Sequence, residues 1–425
     1  MSSFFLVILL LLVILFIGLP VAFSLGTTSL LLVFLFGLPM KVVGSSIFTS
    51  LDSFVVLSIP LYVLMSQILL DGRVGDDLFD VANVWVRHLP GGLAIATVCS
   101  CAFFAAITGS GAATAATIGM VAYPAMIERG YEKKFTLGLL AAGGTLGILI
   151  PPSIPLILYG SITEESVGKL FIAGIVPGLV LTAIFIAYAV YKSKRGGFVP
   201  LPKSGWAERI SITRKNLWGL FLPFLIIGGI YTGAFTPTEA AAVGLVYSLF
   251  VTLVVYRTIS LKQLPAICVK SMMTSSMIAM IIASAVLFGR VMTMLEIPQK
   301  LTEFVISNNF SPMMFIIAMN LLMMILGCIL ETVSIVLLTM PLVTPILHAL
   351  HIDPIWYAII LTVNMTMALI TPPVGMNLYV INGLRDDIHM SEVITGVWPF
   401  VLIIGGMLVL TMLFPMMSTW LPSVM

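Results

Sequence analysis

The stretch Gly143-Gly144-Thr145-Leu146-Gly147-Ile148-Leu149-Ile150-Pro151-Pro152-Ser153 puts two adjacent prolines inside an apolar run, and Ala368-Leu369-Ile370-Thr371-Pro372-Pro373-Val374-Gly375 does so again. Each proline removes a backbone donor and the second pushes the first out of the helical region, so a helix entering either motif must unwind. The surroundings give that weight. Of 425 residues, 60% are hydrophobic and 9% charged, with a mean hydropathy of +1.16. Ordinary globular domains carry roughly 25% charged residues, so this composition describes a polytopic membrane protein and excludes a disordered chain or a nucleic-acid binder. The net charge of +2 offers nothing to a polyanion. In lipid, unwound backbone survives only where its carbonyls are satisfied, and Na⁺ bound beside the freed helix ends is the natural candidate. One Pro-Pro alone is read equally well as a packed kink; two matched copies favour the ion site.

The copies are matched. Sliding the chain on itself by 221 residues places Pro151-Pro152 on Pro372-Pro373, Pro124 on Pro345 and Ser110 on Glu331. The stretches 92–124 and 312–346 enclose those polar clusters and read as re-entrant hairpins. Two half-length helices of about 15 residues cannot reach across a core of about 30 Å, but they can dip in and return. Gly109-Ser110-Gly111 forms one tip, and Gly327 with Thr332 and Ser334 the other.

Full crossings are expected at 4–23, 28–47, 54–70, 136–160, 170–191, 218–232, 240–256, 271–293, 354–382 and 393–415. The first run, from Phe4, lacks the basic flank and cleavage site of a signal peptide and is kept as a helix. The fold class is therefore an all-α polytopic membrane protein of about 10–11 transmembrane helices with two re-entrant helical hairpins. Lys192, Lys194, Arg195, Lys203, Arg209, Arg214 and Lys215 against one acid, Glu208, place the loop 192–218 in the cytoplasm. Arg73, Arg87, the 128–134 turn and Arg257/Lys262 then share that side, 161–169 and 346–353 face outward, and both termini are external. The repeats come out inverted, as in many secondary transporters. Four segments follow: 1–90, scaffold helices and an inner arm; 91–191, first hairpin and broken helix; 192–293, basic loop and scaffold helices; 294–425, outer arm, second hairpin, second broken helix and last helix.

Glu331 is the most informative single residue, since a carboxylate at mid-membrane costs about 2.5–3.5 kcal/mol even on lenient insertion scales. Arg290, near the outer end of 271–293, either neutralises a substrate carboxylate or snorkels to the interface. Glu239, third after Thr236, fits a capping box. Arg73–His88 reads as an amphipathic arm along the inner surface with Asp76, Asp77 and Asp80 facing water, and Pro298–Asn308 as its outer counterpart. The cysteines (Cys99, Cys101, Cys268, Cys328) and the histidines (His88, His348, His351, His389) show no ligand or disulfide spacing.

Thr108-Gly109-Ser110-Gly111-Ala112-Ala113-Thr114, Gly143 to Pro155, Gly168-Lys169-Leu170-Phe171-Ile172-Ala173-Gly174-Ile175-Val176-Pro177-Gly178, Thr236-Pro237-Thr238-Glu239-Ala240-Ala241 and Thr371-Pro372-Pro373-Val374-Gly375 together resemble the large membrane (M) subunit of TRAP (tripartite ATP-independent periplasmic) transporters, over essentially the whole chain. The sialic-acid members are the narrower likeness, although dicarboxylate members share these motifs. The resemblance implies Na⁺-driven uptake of an organic anion across the bacterial inner membrane, no cofactor, a small membrane (Q) subunit and a periplasmic substrate-binding protein as partners, and an elevator-type motion of the hairpins and broken helices. It implies one sodium site from Thr108 and Ser110 with carbonyls of Gly147, Ile150 and Pro152, and a second from Gly327, Glu331, Thr371 and Val374. Members often carry Asp where this chain has Glu331. Oxygen-only shells suit a hard cation. Ser153, Thr332 and Asn377 become substrate candidates by position, with Arg290.

Other classes fare worse. No Gly-x-x-x-x-Gly-Lys-Ser/Thr loop supports an ATP-driven pump, and no His-Glu-x-x-His, Gly-x-Ser-x-Gly or intramembrane carboxylate pair supports an enzyme. A Na⁺/dicarboxylate symporter that needs no binding protein is the nearest alternative.

Overall fold

The structure, a computed structural model, describes residues 2–196 and 200–424. Its secondary structure is helical throughout the described residues. Among the described residues six helical stretches are long and apolar enough to cross a membrane, counting the broken Lys133–Thr163 as one and including the hairpin arm Thr332–Ala349, or seven if the bent pair Trp206–Lys215 and Leu217–Tyr231 counts as one. The remaining apolar helices are shorter, of 10–17 residues.

The repeat is structural. An arm, a hairpin, a broken helix and a long helix follow one another twice: Val74–Val86, Gly92–Thr108 with Gly111–Glu128, Lys133–Leu149 with Ile154–Thr163, and Val167–Arg195; then Ile297–Ser307, Pro312–Gly327 with Thr332–Ala349, Pro354–Ala368 with Met376–Asn382, and Met390–Leu413. Both Pro-Pro bonds are cis, and the turns after the two hairpins use left-handed Gly130 (φ +77°) and His351 (φ +53°). The broken helices run antiparallel. Tyr159, near the end of the first, donates to the Pro354 carbonyl at the start of the second at 2.7 Å. Lys133, at the start of the first, reaches the Asp387 carbonyl and Glu392 beyond the end of the second. Inversion follows from those contacts.

Phe135, Phe185, Tyr188 and Phe400, with ring centroids 5.2–6.4 Å apart, lock the first broken helix, Val167–Arg195 and Met390–Leu413 into one body. A separate layer, the scaffold, is organised by Leu264–Met294, which packs on Val21–Leu35, Lys41–Leu51 and Ser58–Asp71. Lys270 pairs with Asp71 at 3.1 Å, and Tyr62 donates to the Pro237 carbonyl at 3.1 Å. The Thr236/Glu239 capping box is formed.

Two expected spans are redrawn. The runs 4–23 and 28–47 resolve into Ser2–Phe16, Val21–Leu35 and Lys41–Leu51, because left-handed Gly18 with Pro20, and left-handed Gly37 with Pro39, break the chain earlier than hydropathy does. The inner arm buries Val74, Leu78, Phe79, Val81 and Val84 as its pattern requires; Asp80 is exposed, while Asp76 and Asp77 are only half-exposed. At the basic end Arg87 holds Glu208 with two hydrogen bonds of 2.9 Å, and Lys192 meets Glu132 at 3.1 Å. The loops assigned to one side by charge do gather at one end.

Candidate functional site

Each hairpin tip rests on the break of its own broken helix. In the first, Gly109 takes φ +62° and Ser110 is extended, its Oγ accepting from the Ala113 N–H at 3.4 Å to cap the second arm. Thr108 Oγ1 donates to the Phe104 carbonyl and lies 3.2 Å from Thr114 Oγ1. A Cβ on Gly147 would stand 2.5 Å from the Ser110 carbonyl oxygen, and one on Gly109 would collide with the Pro152 carbonyl oxygen. Only glycine permits this approach. Thr108, Ser110, Gly147 and Pro152 are thus brought together, with Ile150 ending the first half-helix in extended backbone.

The second tip repeats the plan. Gly327 presses on Ala368, where a Cβ would have no room. The Val374 N–H donates to the Cys328 carbonyl at 3.2 Å, and Thr371 Oγ1 to the Met367 carbonyl at 2.7 Å. Glu331 is extended at the start of Thr332–Ala349, and its side chain makes no capping bond.

Between the two tips and the scaffold lies a cavity of about 310 Å³. Thr108, Ser110, Glu331 and Thr332 line it from the tips; Ser66, Gln67 and Thr274 line it from Ser58–Asp71 and Leu264–Met294. Thr332 therefore sits where a substrate residue was expected. Ser153 does not: it is fully buried, with Oγ donating to the Ile148 carbonyl at 2.6 Å, because the extended break turns it back onto its own helix. Asn377 is also fully buried, donating to the Ala141 carbonyl at 3.0 Å across the junction of the two broken helices. Its Oδ1 has no partner among the described residues and faces the start of the second arm, 3.6 Å from where a Gly111 Cβ would lie. Arg290 lies outside this cavity and lines another. The scaffold residues Ser66, Gln67 and Thr274 were missed by sequence reasoning, although an amide at position 67 within an apolar helix is the kind of intramembrane polar group that signals a pathway.

Chemically, the tip residues lining the cavity offer hydroxyls and one carboxylate, and the breaks beside them offer backbone carbonyls; the Cys328 thiol belongs to the second tip but is not among the lining residues. That donor set fits a hard monovalent cation.

A family model described as "Tripartite ATP-independent periplasmic transporter, DctM component" matches residues 8–417. The C4-dicarboxylate TRAP transporter large permease protein DctM of Pseudomonas aeruginosa is 41% identical over 403 residues, covering 94% of each chain. The sialic acid TRAP transporter large permease protein SiaM of Vibrio cholerae is 31% identical over 410 residues, covering 96% of each. Among solved structures, the YdaH transporter of Alcanivorax borkumensis matches with a TM-score of 0.60 at 15% identity, over 86% of this chain and 87% of that one, a likeness of fold.

Proposed function

Because the chain belongs to the DctM-component family of tripartite ATP-independent periplasmic transporters, multi-pass inner-membrane proteins that work with a small membrane subunit and a periplasmic binding protein, we propose that it carries an organic anion inward by Na⁺-coupled secondary transport. The observation that carries this reading is the cavity walled by both hairpin tips, each seated on a broken helix. Thr108 and Ser110 with the carbonyls of Gly147, Ile150 and Pro152 hold one Na⁺; Gly327, Glu331, Thr371 and Val374 hold a second. The anion binds between the tips, beside Thr332, where bound cations offset the Glu331 charge. The hairpins, broken helices and their aromatic cluster move as one elevator body against the scaffold. That motion is supported by the cavity's position on the seam between the two.

C4-dicarboxylates are the favoured substrates: relatives named for them reach 37–41% identity, against 31–32% for those named for sialic acid. The test is thermal unfolding of the purified membrane subunits in Na⁺ against K⁺. Two-state linkage expects about 2.7 kcal/mol of stabilisation at a hundredfold excess of ion over Kd. Identical midpoints in the two salts contradict the ion sites.

A further inference from the structure

A second cavity, of about 450 Å³, lies farther along the same seam. Ser53 and Arg290 line it from the scaffold, Ser161, Glu164 and Pro341 from the opposing body. The same helices wall both cavities. Leu264–Met294 contributes Ile278 to the first and Arg290 to the second; Ile154–Thr163 contributes Ile154, then Ser161; Thr332–Ala349 contributes Val333, then Pro341. At 1.5 Å of rise per residue, Ile278 and Arg290 are about 18 Å apart along their helix. The first cavity lies toward Asp71 and Lys270, the end where the basic loops gather, and the second toward the opposite end.

Arg290 is the one cation lining the second cavity, and among the described residues it has no ion-pair or hydrogen-bond partner. Glu164 lines the same space from the other wall, on left-handed backbone (φ +60°), without forming an ion pair to it. A free guanidinium opposite hydroxyls, in a cavity shared with the track of the hairpin tips, is suited to a carboxylate.

We propose that the second cavity is the receiving site for the transported anion, with Arg290 pairing its carboxylate and Glu164, opposite Arg290 while the tips line the first cavity, weakening the hold. This rests on the transport reading above. In that reading the tips, carried along Leu264–Met294 to the level of Arg290, meet the anion there.

The experiment is initial-rate uptake of radiolabelled succinate, with sialic acid as a second arm, into liposomes holding both membrane subunits, with Na⁺ gradient and binding protein. Arg290→Gln is expected to raise KM about tenfold, the factor one partly screened charged contact carries, with the half-saturating Na⁺ concentration unchanged. Arg290→Lys retains most of the affinity, and Glu164→Gln lowers KM. Opposite signs from the two walls are not produced by a merely structural role. Wild-type KM in R290Q, equal damage in R290K and R290Q, or a raised KM in E164Q overturns the proposal. Absence of uptake of either anion by the wild type overturns the transport reading itself, and the proposal with it.

Discussion

Replacing Gly147 by alanine tests the proposed first ion site through backbone geometry alone. The added Cβ would stand 2.5 Å from the Ser110 carbonyl oxygen, 2.6 Å from its carbon and 2.9 Å from the Gly111 nitrogen. Ordinary contact begins at 3.4 Å. All three neighbours are main-chain atoms, so no side chain can swing aside, and the tip must retreat by about 1 Å. Hard cations hold oxygens within a range of about 0.3 Å, 2.3–2.6 Å for Ca²⁺, so a shell shared between tip and broken helix cannot span that retreat. Overpacking of this kind costs about 1–3 kcal/mol; expressed in ion affinity, that is roughly a five- to 150-fold rise in half-saturating Na⁺. The assay is the initial uptake rate against Na⁺ concentration in liposomes. Gly406→Ala is the control, since nothing lies within 4 Å of its added Cβ, and it should leave the curve unchanged. A wild-type Na⁺ curve in Gly147→Ala would contradict an ion shell shared between the tip and the broken helix.

Three further outcomes are expected. Ser110→Ala and Glu331→Gln should each cut Na⁺-dependent uptake while leaving expression and assembly intact, read by uptake and by size-exclusion profile of the purified subunits. Gly396→Ala should destabilise the packing of Met390–Leu413 on the first broken helix, because its Cβ would collide with the Lys134 carbonyl oxygen; about 1–3 kcal/mol is lost, read as a fall in unfolding midpoint. The Tyr123 hydroxyl, donating to Asp387 Oδ2 at 2.7 Å, holds that carboxyl below its usual range. Its folded form therefore binds fewer protons than the unfolded chain. The resulting stability is present above the unfolded pKa of about 3.9 and is lost as pH falls through the lower, folded value. Tyr123→Phe should accordingly blunt the wild type's loss of unfolding midpoint below pH 5.

Much of the candidate site's geometry was legible because it depends on local chemistry. Adjacent prolines forbid a helix wherever they fall, so Pro151-Pro152 and Pro372-Pro373 located both breaks. Gly109-Ser110-Gly111 located a tip because few other sequences make that turn within lipid. The offset of 221 residues then doubled the information. What escaped depends on distance across the fold. Ser66 and Thr274 face the cavity only because Ser58–Asp71 and Leu264–Met294 happen to stand opposite the tips, and Thr274 Oγ1 even bonds the Lys270 carbonyl of its own helix at 3.4 Å, so nothing local marks either residue. Ser153 follows a Pro-Pro, as a ligand would, yet the break turns it inward. The first helices were misplaced because the run from Phe4 to Leu38 stays apolar through its Gly18–Pro20 break.

The proposed uptake is coupled and protein-delivered. Radiolabelled succinate uptake into liposomes containing this chain and its small membrane partner, measured with and without an inward Na⁺ gradient and with and without the periplasmic protein, tests it most directly. Accumulation is expected only when both are supplied. Accumulation without the periplasmic protein, or undiminished in the absence of Na⁺, contradicts it.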